Sequence, residues 1–497
     1  MVRLQHNDEP TLGGGTLSRE RFVRSLAEQV ASCAPPQVFG VHGEWGAGKT
    51  SVLRQLQRHL SDPTLARQDI RKAQAQAQAE ESLLPSVHND VCFTIWFEAW
   101  RYQHEPVPVI ALLQEMRRQF SLAMKTKDAV KTGSLMALST LAGAFDTVAG
   151  LVGGESLKLL NPANIVKAAE AVDKAQLRSE LPTDTVREFL QGAIDELLVG
   201  LRKEKKHGPR LVVFIDDLDR CGSDAAYRLL EGLKIHLNLP NCVFVLGMNQ
   251  GAVIDLLAPH FSKKGDDDLA ERRAESYLEK LCATVWRLPP VRDPLALLTH
   301  WLYVPGASQQ EPDIGDRPLQ LRIQAIANAD VLKLSLPPNP RKLKALANTM
   351  LGLWAGGARE AVPAGDPLAL QCFVFMAYVY QFHQGLYQRW VLAPDFYATL
   401  REWAQGAPML EGRKAIFQGL RLTAAQPAAA MAAGLPTAAA EEKNVVPAAA
   451  SQPALSLYPE PGQHGLFWMT PWLLHPDGGA AATPATYQPL LHVHQGP

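Results

Sequence analysis

The segment Gly43-Glu44-Trp45-Gly46-Ala47-Gly48-Lys49-Thr50 follows the apolar run Gln37-Val38-Phe39-Gly40-Val41-His42 and leads into Ser51-Val52-Leu53-Arg54-Gln55-Leu56. Strand, glycine loop and helix start, in that order, are the context a phosphate-binding loop requires. Glycines at 43, 46 and 48 let the backbone turn sharply and aim successive N–H groups at a polyphosphate. The helix opening near Thr50 presents the positive end of its dipole to the same anion. Gly43, Glu44, Trp45, Gly46, Ala47, Gly48, Lys49, Thr50 and Ser51 are therefore the expected nucleotide cradle. Lys49 is placed to reach the β- and γ-phosphates, and Thr50 to supply one ligand to Mg²⁺.

The second half of such a site lies far downstream. Arg210-Leu211-Val212-Val213-Phe214-Ile215-Asp216-Asp217-Leu218-Asp219-Arg220 is an apolar strand that ends in acids, the pattern of a buried parallel strand whose carboxyl end reaches a ligand crevice. Asp216 is placed to hold Mg²⁺ through water. An acid one residue on, Asp217, is placed to orient the attacking water. Asp219, two residues further, projects to the same side as Asp217 if the chain stays extended, and is the second candidate.

Composition sets the outer limits. At 497 residues with 47% hydrophobic content the chain can bury a sizeable core, which excludes a disordered or fibrous protein. Lys and Arg number 49 against 50 for Asp and Glu, so no global basic field attracts nucleic acid or an anionic membrane. Six scattered cysteines without a C-x-x-C pair fit buried, reduced thiols and a cytoplasmic setting. The stretch from Met1 to Glu9 lacks the apolar run of a signal peptide, so export is not expected.

Taken in order, Thr16 to Ser32 reads as a capped helix with Phe22, Leu26 and Val30 on one face. Ser61 to Pro85 is a polar insertion containing an Ala/Gln run. A second buried strand, Val91 to Phe97, runs into Glu98-Ala99-Trp100-Arg101-Tyr102. The stretch Trp96-Phe97-Glu98-Ala99-Trp100-Arg101-Tyr102, taken with the glycine loop and with Asp216-Asp217-Leu218-Asp219-Arg220, resembles the KAP family of P-loop NTPases from roughly Phe22 to Asn348. The fold class expected is α/β: a parallel sheet flanked by helices, with a helical insert and a C-terminal helical lid. Glu98 and Arg101 emerge beside the nucleotide crevice and are candidates for a polar role there.

The boundaries expected are a core from 1 to 290 with an insert at about 125–185, a lid from 291 to 422, an Ala/Pro-rich linker from 423 to 456 and an apolar tail from 457 to 497. KAP proteins often carry transmembrane helices at the place of the insert. Here the best span, Ser134 to Gly153, has Asp146 near its centre and little apolar gain from its Ala, Gly, Ser and Thr, so a membrane crossing is not expected. Cys242 to Met248 is a third apolar strand, and Asn249 at its end falls where related ATPases place a polar sensor. Thr284 to Pro290 would close the sheet, and no strand is expected beyond Asp293. In the lid, the resemblance implies that Arg341 of Asn339-Pro340-Arg341 contacts phosphate as a second sensor. The tail, with Leu466-Phe467-Trp468-Met469-Thr470-Pro471-Trp472, is too apolar to be left free in water and must dock on this chain or on a partner.

The function expected is Mg-dependent ATP binding and hydrolysis that drives conformational change in a larger assembly, with protein partners or self-assembly through insert, lid or tail. Bacterial members of the family include proteins that exclude phage, which makes antiviral defence the leading biological expectation. Two alternatives stand beside it: a nucleotide-gated scaffold with little or no hydrolysis, and a motor acting on DNA, which the near-neutral charge disfavours.

Overall fold

The computed structural model describes residues 19–60, 92–105, 209–236, 239–262, 267–282, 284–303, 318–326, 329–393, 395–405 and 466–491, with residues 17, 423 and 424 and scattered positions of 108–119 and 191–198. The expected insertions at Ser61–Pro85 and about 125–185, the candidate span from Ser134, and most of the Ala/Pro-rich stretch lie outside the described residues. The chain divides into two compact units, one over Pro10–Pro289 and the other formed mainly by Pro290–Pro497.

The first unit is built on five parallel strands: β1 Gln37–His42, β2 Cys92–Glu98, β3 Arg210–Asp216, β4 Cys242–Met248 and β5 Thr284–Arg287. Their order is β2-β3-β4-β1-β5, so β4 stands between the strand that feeds the glycine loop and the strand that ends in acids. Every residue of β3 and β4 is buried, as near-continuous apolar runs in a parallel sheet require. Alternation divides them between two faces. Leu211, Val213 and Ile215 share one core with Cys242, Phe244, Leu246 and the helices downstream of β3. On the other face Phe214 stacks on Trp96, over which the Arg54 guanidinium lies at 3.6 Å. Asp216 has the parity of Phe214, and so faces the helix that carries Arg54.

That helix is α2, Lys49–Leu60, and α1, Glu20–Ser32, packs beside it. The buried stripe of α1 is Val23, Leu26, Ala27 and Val30. The expected start at Thr16 is corrected. The helix begins at Glu20 with no side-chain cap, and Phe22 meets Trp286 of β5 edge-on at 5.6 Å. Beyond β3, helix α3 runs over Ser223–His236, α4 over Gln250–Phe261 and α5 over Asp267–Leu281.

The second unit is helical: α6 Pro294–Trp301, α7 Leu319–Gln324, α8 Ala329–Leu334, α9 Pro340–Leu353, α10 Pro367–Phe382, α11 Gln384–Leu392, α12 Phe396–Ala404, α13 Thr470–Leu474 and α14 Pro484–Leu491. Helix α10 is buried along nearly its whole length, and the tail packs against it. Trp472 is fully buried, stacks on Phe375 at 4.9 Å and donates its indole N–H to Gln371 at 2.7 Å. Its backbone N–H donates to the Ser335 hydroxyl at 2.8 Å, while Tyr397 donates to the Gly479 carbonyl at 2.6 Å. The apolar tail is thus part of this unit's own core. One strand pair does occur past Asp293, contrary to expectation: Thr423–Ala424 runs parallel to Leu466–Phe467 and ties the start of the Ala/Pro-rich stretch to the tail. Among the described residues no helix is long and apolar enough to cross a membrane.

Candidate nucleotide-binding site

The loop after β1 has the backbone that its glycines permit. Gly46 and Gly48 sit at φ 80° and 91°, in the left-handed region that a side chain disfavours. A Cβ at Gly43 would stand 2.8 Å from Leu288, so the loop is packed as tightly as it is turned. Lys49, the first residue of α2, is buried and turned back on its own loop: Nζ donates to the Gly43 carbonyl at 2.8 Å and the Glu44 carbonyl at 3.4 Å. It also meets Asp219 Oδ2 at 3.5 Å.

The three acids past β3 have three different surroundings. Asp216 is 1% exposed; its own burial, with the neighbouring Asp217, lifts its carboxyl to about 6, against a hydrogen bond from Thr50 that pulls it down. Asp216 Oδ1 is buried without a hydrogen-bond partner. Room for it is made by Gly247 on β4, where a Cβ would lie 2.8 Å from that oxygen and 2.3 Å from Leu53.

Asp217 takes a left-handed conformation, φ 57°, and starts a 3₁₀ turn over Leu218–Arg220. Its carboxylate pairs with Arg220 at 2.9 Å; burial raises its pKa and Arg220 works against that rise. The chain is therefore not extended here, and the expectation that Asp217 and Asp219 project alike is corrected. Asp219 alone turns under the glycine loop. Its Oδ2 accepts from the Trp45 indole at 2.6 Å and from the Asn249 backbone N–H at 3.2 Å.

Asn249, one residue past β4, is buried and donates Nδ2 to Glu44 at 3.0 Å, while its own Oδ1 has no partner. His42, the last residue of β1, accepts from the Gln250 backbone N–H through Nδ1 at 3.0 Å. Burial first, then the Arg287 and Lys49 charges, push its pKa down to about 4, so the ring is neutral near pH 7. The ends of β1, β3 and β4 thus meet the loop at one place, presenting turned backbone, a lysine, a threonine hydroxyl and carboxylates. A family model for the KAP family P-loop domain matches residues 19–351, more than half of the chain. The chain belongs to the KAP family of P-loop NTPases. No curated protein matches it significantly.

The KAP assignment carries nucleotide binding and hydrolysis as the general activity of the domain. Several residues of this KAP site escape sequence reasoning. Arg19, where the family match begins, is 3% exposed, and donates to the Ala47 carbonyl and the Pro289 carbonyl, each at 2.6 Å. Its only sequence signal is a basic residue just ahead of a helix, which ordinarily faces water. Gly247 and His42 are hidden for the opposite reason, since they complete apolar strands and look like core.

Glu98 is committed to cations, pairing with Arg101 and, at 3.6 Å, with Arg54. It braces the end of β2 against α2, a role as a brace that the strand-end position alone did not indicate. Arg341 belongs to the second unit. There Asn339 caps α9 by accepting from the backbone N–H groups of Arg341 and Lys342, Pro340 fills the first helical position, and the Arg341 side chain is exposed.

Proposed function

We propose that this KAP protein binds ATP with Mg²⁺, hydrolyses it, and uses the turnover to drive conformational change in a larger assembly. The observation that carries the reading is the meeting of Thr50 with Asp216 at the start of α2, where one carboxylate oxygen stays buried and unpartnered beside Gly247. A hydroxyl and a carboxylate are hard oxygen donors of the kind Mg²⁺ selects. Thr50 and Asp216 would hold the ion, which when bound neutralises charge on the β- and γ-phosphate oxygens.

The remaining roles fall to the chain's own groups. Backbone N–H groups of the loop from Gly43 to Ser51 cradle the phosphates, and Lys49 turns from the Gly43 carbonyl and Asp219 to meet them. Asp217 orients the attacking water once its carboxylate leaves Arg220, with Asp219 the alternative. Asn249 has an amide within the same cluster to read the γ-phosphate or that water. The family resemblance alone supports Arg341 as a stabiliser of transferring charge, and family analogy alone supports antiviral defence as the setting. Partners or further copies would engage the insert, lid or tail.

One observation favours a second reading, a nucleotide-gated scaffold with slow turnover: the acid expected to orient water is held by Arg220. Phosphate release from ATP with Mg²⁺, measured at rising protein concentration beside Lys49→Ala and Asp217→Asn, separates the two. Turnover lost in both variants, and rising per molecule with concentration, supports an assembling ATPase. ATP binding without phosphate release under any of these conditions supports the scaffold.

A further inference from the structure

We infer that Asp219 is a positioning residue, which fastens the outer limb of the glycine loop through the Trp45 indole to the strand end that bears Asn249. The inference rests on the nucleotide-site reading above. A single buried oxygen, Asp219 Oδ2, accepts from Trp45 Nε1 at 2.6 Å and Asn249 N at 3.2 Å, and meets Lys49 Nζ at 3.5 Å. The circuit closes through a second bridge, because Asn249 Nδ2 donates to Glu44 at 3.0 Å and Glu44 is the chain neighbour of Trp45. Two rungs therefore tie loop residues 44 and 45 to residue 249.

Trp45 is 53% exposed, which is poor use of a large ring if packing were its purpose. What tryptophan offers that phenylalanine or leucine cannot is the indole N–H, and that group is the one aimed inward. The arrangement has a consequence for charge. When a phosphate draws Lys49 away, the indole and the Asn249 N–H keep the carboxylate where it is, so its negative charge does not follow the lysine toward an anion. A general base needs a lone pair free toward water. Asp219 Oδ2 already serves three donors, and Oδ1, which has no partner, is buried away from solvent.

The test uses the full chain with ¹⁵N-labelled indoles. Loss of one indole signal in Trp45→Phe assigns Trp45 among the ten tryptophans. In nucleotide-free protein its proton is expected to exchange at least tenfold more slowly than that of Trp100, which is 40% exposed and serves as the internal comparison. Asp219→Ala abolishes that protection. Should this variant fail to fold, Asp219→Asn, which keeps a neutral acceptor, is expected to reduce the protection severalfold. In ATP binding and turnover, Trp45→Phe weakens affinity about tenfold with kcat within about threefold, as expected where ordering the loop is charged to binding. In the Asp219→Ala background the same substitution changes affinity less than about twofold.

A Trp45 proton that exchanges as fast as that of Trp100 overturns the inference. So does a Trp45→Phe variant with unchanged affinity and kcat down more than a hundredfold, or independent multiplication of the two effects in the double variant. If the wild-type protein binds no ATP, the nucleotide reading has failed, while the exchange measurement, which needs no nucleotide, still decides the role of Asp219.

Discussion

Gly247 shows how one missing side chain shapes the site. A methyl group there would stand 2.3 Å from Leu53 and 2.8 Å from Asp216 Oδ1, and both neighbours would have to move. Gly247→Ala is expected to cost about 1–3 kcal/mol of stability in denaturant titration, the usual price of overpacking, and to lower nucleotide turnover more than tenfold. Asp216 gives a prediction in pH. With its carboxyl lifted to about 6, it becomes protonated below that value in nucleotide-free protein, so the apparent Mg²⁺ affinity should fall about tenfold for each unit below it. Calorimetric titration of Mg²⁺ at a series of pH values checks this.

Arg220→Gln releases Asp217, and kcat is expected to rise severalfold if Asp217 orients water; an unchanged kcat assigns that role elsewhere. The places of Lys49, Thr50, Asp216 and Asn249, at a glycine loop or at the end of an apolar strand, are legible from those local patterns. Which acid faces the loop was not legible. It depends on one left-handed residue, Asp217, and no periodicity encodes that turn.

At the scale of elements, the five strands and most helices follow from apolar runs and their parity, since a buried parallel strand leaves little other reading for Arg210–Asp216 or Cys242–Met248. The entry helix was less legible. Its polar lead-in read as part of a capped helix from Thr16, but the helix starts at Glu20, with Arg19 drawn into the loop instead. The end of β1 carries a stability prediction. His42 ordinarily titrates near 6.5, and in the fold near 4, so the unfolded chain binds more protons between those values. Stability is whole above about 6.5 and is lost as pH falls toward 4. In the second unit, burial and then the Lys342 charge depress His383 to about 4, and it acts in the same direction. Asp216, with its raised value, opposes them over part of the window. His42→Asn, whose side-chain oxygen can still accept from Gln250, should make melting temperature fall less steeply between pH 7 and 5.

Across the whole molecule the boundary between units falls at Pro289 and Pro290, and the tail returns over more than a hundred residues of chain to complete the second core. The composition of the tail announced that it would be covered, but not by what, because hydrophobicity has no address. Trp472→Ala removes a fully buried ring and two neighbours' support, and is expected to cost about 3–5 kcal/mol, read from unfolding followed by helical signal.

Arg19 holds the Ala47 carbonyl with one guanidinium nitrogen and the Pro289 carbonyl with the other. The first closes the turn of the loop that begins at Glu44, and the second is the last residue of the nucleotide-binding unit before the chain goes on. A coupling free energy has no direction. To whatever extent a phosphate entering the loop shifts Ala47 and loosens Arg19 from Pro289, tension on the chain at Pro289 that loosens the same contact favours that phosphate, so the loop and the chain that leaves the unit bias one arginine from opposite ends.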